Sequence, residues 1–253
     1  MDFYDDIADS YAELTGAADR QATAGRFVKE LTRRFDITSA LDAACGTGLF
    51  AIELARGGVE VVGSDISAGM LKSAPSNAAA ANIDTNLCTW VRAPMQELGD
   101  RISGGRDAVL CMGNSIPHLL TDDDLGHTIA GFSELLVTGG VVVIHLLNYA
   151  RVLSTKDRIV GITRDESKEF VRFYDFDSDF IGFNILKIQW DDEGRCSHNL
   201  LTTPLRPYLH SELVDALGAA GFKNIETFGD FQFNPFNPET SDTLLLTATA
   251  HCP

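Results

Sequence analysis

The stretch LDAACGTGLF, Leu41 to Phe50, reads as a strand that runs into a glycine turn and then a helix. Gly46 and Gly48, with Ala51 three positions on, form the G-x-G-x-x-A version of the dinucleotide fingerprint. In that turn, small residues let the backbone approach a ligand at a helix N-terminus. Asp65 follows Gly46 by nineteen residues, the spacing at which a carboxylate can accept hydrogen bonds from ribose hydroxyls.

On either side of the turn, apolar runs alternate with helical patterns. SALDAA (39–44), VEVVGSD (59–65), NLCTWVRA (86–93), DAVLCM (107–112) and GGVVVIHLLN (139–148) read as five strands. Residues 20–35 place Ala24, Phe27, Val28, Leu31 and Phe35 on one helical face. A second helix runs from Asp122 to Val137, with Thr121 and Asp124 as its N-terminal cap. Such alternation predicts a parallel sheet covered on both faces. From Tyr149 to Leu205 the pattern changes: EFVRFYDFD and FIGFNILKIQWD are aromatic-rich and separated by turns, which predicts an antiparallel meander. A helix from about His210 to Ala220, closed by Gly221, and strands near 225–228 and 243–250 return to the main sheet. FQFNPFNPETSD, with two Asn-Pro steps, reads as the loop between those strands.

The chain has 253 residues, of which 36 are acidic and 20 basic, so its formal charge is −16. That balance repels phosphate backbones and anionic lipid surfaces, and no run of Lys or Arg overrides it. The five cysteines, Cys45, Cys88, Cys111, Cys196 and Cys252, form no C-x-x-C pair, so reduced thiols and no metal are expected. Without a signal-like N-terminus or a long apolar span, the expectation is a soluble cytoplasmic protein that binds neither nucleic acid nor membrane.

In an open α/β sheet the ligand lies beyond the carboxyl ends of the strands. Those ends are Cys45 to Gly48, Asp65, Ala93 to Gln96, Gly113 to Ser115, and Asn148 with Tyr149. The string LDAACGTGLFAIELARGGVEVVGSDISAGMLKSA resembles the nucleotide-binding half of class I S-adenosylmethionine-dependent methyltransferases, in which an acid (here Asp42) precedes the C-G-x-G turn. Many members have Gly where this chain has Ala44. G-N-S-x-x-H-L (113–119), N-Y (148–149) and G-D-F (229–231) are similar to the glycine and glycine/sarcosine N-methyltransferase group, over most of the chain. Relatives carry Arg-Asn-Tyr-Asp where this chain has Leu147, Asn148, Tyr149 and Ala150.

The resemblance implies an α/β Rossmann-like class I methyltransferase sheet, mostly parallel with the last strand antiparallel, and an antiparallel β insertion after strand 5. One methyltransferase domain is expected over 1–253: 36–148 as the nucleotide-binding half, 149–205 as the inserted substrate-side meander, and 206–253 as the return to the core. It further implies S-adenosyl-L-methionine as methyl donor, with S-adenosyl-L-homocysteine as product and no metal. Gly46 and Gly48 are then expected beside the methionine portion, Asp65 on the ribose, Ala93 to Gln96 around the adenine and Arg20 on the donor carboxylate, with Ala44, Ile66, Met95 and Met112 also in the donor-binding set.

The acceptor implied is a small amino acid of the glycine or sarcosine type. Its carboxylate suits a guanidinium fork, which makes two parallel charge-assisted bonds. Arg172 is expected as that clamp, with Asn148, Tyr11, Tyr208 and His118 lining the pocket, and with Arg164 and Arg206 as rivals. Plainer roles stand beside these. Arg172, on one face with Phe170 and Tyr174, either pairs with an acid such as Asp175 or Asp177 or faces a ligand. His118 either bonds the backbone or serves the site, and Tyr11 and Tyr208 are large enough to be core residues. His145 reads as a satisfied core histidine, His210 as a helix start, and Cys45 as a small residue in a tight turn. Other readings are transfer to a different small amine or acid, and a binding protein that senses the donor without turnover. A nicotinamide enzyme is disfavoured because no Tyr-x-x-x-Lys stands out.

Overall fold

The computed structural model describes residues 3–15, 17–165 and 167–251. Three helices, α1 (Phe3–Ile7), α2 (Tyr11–Thr15) and α3 (Ala17–Phe35), precede the first strand. The alternating part follows as β1 (Ser39–Ala43), α4 (Leu49–Arg56), β2 (Glu60–Asp65), α5 (Ala68–Ala80), β3 (Cys88–Arg92), α6 (Leu98–Arg101), β4 (Arg106–Cys111), α7 (Asp122–Leu135) and β5 (Leu136–Leu147). After α8 (Tyr149–Thr155) come β6 (Ile159–Arg164), β7 (Lys168–Phe176), β8 (Ile181–Trp190) and β9 (Cys196–Leu205). The chain then returns through α9 (His210–Ala219), β10 (Lys223–Phe228) and β11 (Thr243–Thr249).

The main sheet has seven strands in the order β10-β11-β5-β4-β1-β2-β3. β1 to β5 pair in parallel, and β11 runs antiparallel to both of its neighbours. Strand alternation sends Leu41, Val109, Val142 and Ile144 to the face covered by α6, α7 and α9. Ala40, Ala108, Val141 and Val143 go to the face covered by α3 and α4. This is the expected α/β fold, with β6 to β9 forming the separate antiparallel sheet.

Thr121 caps α7 as expected, its Oγ1 accepting the Asp124 N–H at 3.1 Å. Two boundaries differ from the sequence reading. α7 stops at Leu135, and β5 starts at Leu136 rather than Gly139. Leu136 pairs with Arg106 before a bulge, and the ladder is in steady register only from Ala108 opposite Val141. The meander is also preceded by α8, which begins where the Asn148 side chain accepts the Arg151 N–H. An Asn followed by helix formers was the available signal for that turn. Cys45, Cys88, Cys111 and Cys196 are free thiols, while Cys252 lies outside the described residues.

Two glycines in this part are obligatory, because Trp90 on β3 lies over both. A Cβ on Gly63 meets its ring at 2.5 Å; one on Gly48, the N-cap of α4 at φ 90°, meets it at 2.6 Å. Gly48→Ala therefore adds left-handed strain to a steric overlap. The variant is expected to lose about 1–3 kcal/mol of stability. Denaturant unfolding checks this, and an unchanged midpoint would contradict it.

Candidate active site

The tips of β1, β2 and β4 enclose a cavity of about 130 Å³. Cys45 N–H donates to Ser64 O at 2.8 Å, which ties the turn to β2. The Asp65 carboxylate then orders the rim, accepting the Gly46 N–H through Oδ2 and the Ser67 N–H through Oδ1, each at 2.8 Å. A carboxylate has about four lone-pair sites, and these two bonds fix the edge that Asp65 turns to the cavity. Ala44 sits beside it at φ 57°, a left-handed conformation that explains why glycine suits this position.

Of the residues expected around the donor, Arg20, Ala44, Gly46, Asp65, Ile66, Met95 and Met112 all line this cavity. Gly48 and Ala93 do not. Gly48 acts from behind by admitting Trp90, and Ala93 is buried, its N–H donating to Asp65 O at 3.1 Å. The donor set matches the chemistry of the expected ligand. A fixed carboxylate suits vicinal hydroxyls, a slot of Met95, Met112 and half-exposed Ile66 suits a purine, and Arg20 suits a carboxylate.

Asp42, at the base of the cavity, is fully buried and accepts the Ala51 N–H at 3.0 Å. Burial pushes its carboxyl up to about 7, against the lowering effect of that bond and with a further rise from the Asp65 charge. The folded protein thus holds a proton, between about pH 4 and 7, that the unfolded chain lacks. Asp42 favours the native state most at the acid end of that window, and this advantage falls as pH rises through 7. Asp42→Asn keeps an oxygen for Ala51 and removes the ionisation. Its melting temperature should exceed that of the parent by ~2–4 °C or more at pH 8 and by less at pH 5.5. A variant equally destabilised at both values would refute this.

A second cavity of about 500 Å³ adjoins the first, and Tyr4, Tyr11, Arg20, Phe50, Gly113 and His118 line both. Its far wall comes from the antiparallel sheet, through Arg172, Tyr174, Phe183 and Ile185. Arg172 faces this space without an ion-pair partner among the described residues, and its buried Nε makes no hydrogen bond. Desolvation lowers its pKa, and the nearby Arg20 adds to that. The acids once open to it are engaged elsewhere: Asp175 binds Arg158 and Asn184, and Asp177 accepts its own turn's Ser178 N–H.

The rival arginines are engaged away from the cavity. Arg164 pairs with Glu169 at 3.4 Å and lies over Trp190. Arg206 pairs with Asp122 at 2.7 Å and Glu212 at 3.2 Å, over the Tyr208 ring.

His118 lines both cavities, 2.7 Å from the Tyr4 hydroxyl, and burial pushes its pKa down to about 4, so it is neutral. Asn148 and Tyr208, expected at the pocket, are not brought there. Asn148 is 2% exposed and donates to Pro238 O at 2.9 Å and Ser241 O at 2.8 Å, pinning the Asn-Pro loop. Tyr208 is 0% exposed and donates to Leu119 O at 2.8 Å. Buried polar groups take the nearest backbone partners, and both side chains are satisfied structurally.

Lining residues not singled out as site residues from the sequence include Tyr4, Asn114, Tyr174 and Phe231. Tyr4 lies seven positions before Tyr11, a helical spacing, in the acidic N-terminal stretch. The carboxylate of Asp5 on α1 accepts the Ser67 hydroxyl at 2.5 Å and the Gly69 N–H at 2.7 Å, so α1 is docked over the cavities. Asn114, left-handed at φ 70°, accepts the Leu147 N–H and donates to the Tyr149 hydroxyl at 3.0 Å, joining the tips of β4 and β5.

Several known proteins are similar to this chain in sequence or in fold. Residues 40–140 match the family described as "Methyltransferase domain". A glycine/sarcosine/dimethylglycine N-methyltransferase of Actinopolyspora halophila is 30% identical over 230 residues, which take in 89% of this chain and 38% of that protein. A glycine/sarcosine N-methyltransferase of Halorhodospira halochloris is 28% identical over 238 residues, or 91% of this chain and 82% of that one. The crystal structure of an S-adenosylmethionine-dependent methyltransferase from Clostridium acetobutylicum shares the fold, with a TM-score of 0.82 at 18% identity, over 99% of this chain and 100% of that one.

Proposed function

This chain belongs to the class I S-adenosylmethionine-dependent methyltransferases, and from that premise we propose that it methylates the amino group of a small α-amino acid of the glycine or sarcosine type. The observation that carries this reading is Arg172, a guanidinium with no acid partner among the described residues, facing the cavity next to the donor site. Its fork matches a carboxylate. Relatives named as glycine/sarcosine N-methyltransferases add support from sequence.

When bound, the donor supplies a sulfonium whose methyl group passes to a neutral amine as the C–S bond breaks and its electron pair stays on sulfur. The residues' task is alignment. Arg20 and Asp65 hold the two ends of the donor, and Arg172 holds the acceptor's carboxylate across the shared wall of the two cavities. Positioning of this kind can lower a barrier by roughly 7–11 kcal/mol. The acceptor must also lose its ammonium proton. Among the described residues, Arg20 and Arg172 line the larger cavity and no carboxylate does, so like-charge repulsion favours the neutral amine. Neutral His118 adds no further charge beside the sulfonium.

Both ligands share cavities of about 500 and 130 Å³, so the acceptor is small. The direct test is calorimetric titration with S-adenosylhomocysteine, followed in the same cell by glycine, sarcosine and dimethylglycine, alongside methyl-transfer assays. Product binding with turnover of one of these amino acids supports the proposal. Product binding with no turnover of any amino acid moves the acceptor to another class of amine or acid, in line with Leu147 and Ala150 in place of charged residues.

A further inference from the structure

The floor of the larger cavity holds a polar side chain that neither the donor nor the clamp accounts for. His145 on β5 is 8% exposed, and its imidazole lines the cavity. The ring stacks on Phe231, with centroids 4.4 Å apart and planes at 27°. Neither Nδ1 nor Nε2 has a hydrogen-bond partner among the described residues, so this is not the satisfied core histidine expected from the strand pattern. Its backbone is pinned on both sides, by the Asn114 N–H donating to His145 O at 3.1 Å and by pairing with Leu245 on β11.

The surroundings define what such a ring can recognise. Phe50, Leu147 and Phe231 make the floor otherwise apolar. Burial, helped by the positive charge of Arg20, pushes the His145 pKa down to about 4 and keeps it neutral. A neutral imidazole offers one N–H donor and one acceptor nitrogen. Leaving both unmade in a buried site is unfavourable, and orphaned polar groups of this kind mark places where a ligand completes the bonding. A half-turn about Cβ–Cγ keeps the ring plane, and hence the stack, while exchanging the edge turned to the cavity.

We propose that His145 determines acceptor specificity, and that the acceptor is an α-amino acid carrying an uncharged hydrogen-bonding group, a hydroxyl or carboxamide, beyond the glycine skeleton. This rests on the cavity being the acceptor chamber for an amino acid. Hydroxyl and carboxamide groups both donate and accept, which complements the neutral ring. An added ammonium would meet the guanidinium groups of Arg20 and Arg172.

The test compares kcat/KM for asparagine with its near-isostere leucine, and for serine with alanine, with glycine and sarcosine run beside them. Each polar acceptor should exceed its apolar partner by about 10- to 100-fold. His145→Phe, which retains a stacked ring, should bring both ratios to within about threefold, while His145→Gln, which retains a donor and an acceptor, should keep them above about tenfold. S-adenosylhomocysteine titration verifies that each variant is folded, and if His145→Phe is not, His145→Gln decides. Turnover of glycine or sarcosine with no polar preference, or a preference that survives in His145→Phe or collapses in His145→Gln, overturns the role of His145 and leaves the amino-acid acceptor standing. Turnover of no α-amino acid overturns both.

Discussion

Arg172→Ala should lower kcat/KM for the amino-acid acceptor by about a hundred- to a thousandfold, while S-adenosylhomocysteine binding changes by less than about threefold. Removing one partner of a desolvated, hydrogen-bonded charge pair costs roughly 2–5 kcal/mol, much of it from the carboxylate left behind. Arg172 is well placed for such a loss, because burial already disfavours its charge and no acid among the described residues pairs with it. Arg172→Lys separates charge from geometry. It retains the cation but not the two-pronged fork, so it should recover only part of the loss. Arg164→Ala and Arg206→Ala are the controls, since both side chains are paired outside the cavity and neither variant should alter acceptor kinetics. Steady-state kinetics on all four decide the matter. A loss in Arg164→Ala or Arg206→Ala matching that in Arg172→Ala would mean that the clamp is wrongly assigned.

Asp65→Ala should weaken S-adenosylhomocysteine binding by about a hundredfold or more. Two effects add. Ribose hydroxyls lose a charged acceptor, and the Gly46 and Ser67 N–H groups lose the oxygens that hold the rim at 2.8 Å. Hydrogen bonds to a charged group are worth about 1.5–3 kcal/mol each, so losing more than one exceeds the ~2.7 kcal/mol that a hundredfold requires. Asp65→Asn keeps the shape and one oxygen but turns an amide NH2 toward the other donors. Its melting temperature should lie nearer the parent's than that of Asp65→Ala, with affinity still about tenfold or more down. Calorimetry and thermal unfolding on the same samples separate the two effects, and an alanine variant binding within threefold of the parent would remove Asp65 from the donor site.

What was readable in advance followed from local rules. The G-x-G turn, the carboxylate nineteen residues on and the Thr121 cap all depend on residues close in sequence or on one strand-to-strand step, and each stands where its spacing put it. The start of β5 was misplaced because pairing with β4 extends a strand past two glycines that read locally as its beginning. Asn148 and Tyr208, expected from the sequence at the pocket, lie away from the cavity for a related reason. Both occur beside strings shared with methyltransferases, yet their polar atoms go to backbone carbonyls roughly ninety residues away.

By itself, then, the sequence determined the fold class, the glycine turn after β1 and the acid facing it, because hydrophobic period, glycine conformation and capping act over a few residues. Tertiary structure alone decided which of three arginines faces the cavity, because each choice depends on which acids distant strands bring within reach. It also decided that α1 docks over the cavities through Asp5, and that a histidine in a core strand lines the larger cavity with no hydrogen-bond partner among the described residues. Both are outcomes of long-range packing, where the partner of a polar group is set by the three-dimensional path of the chain and not by its neighbours in sequence.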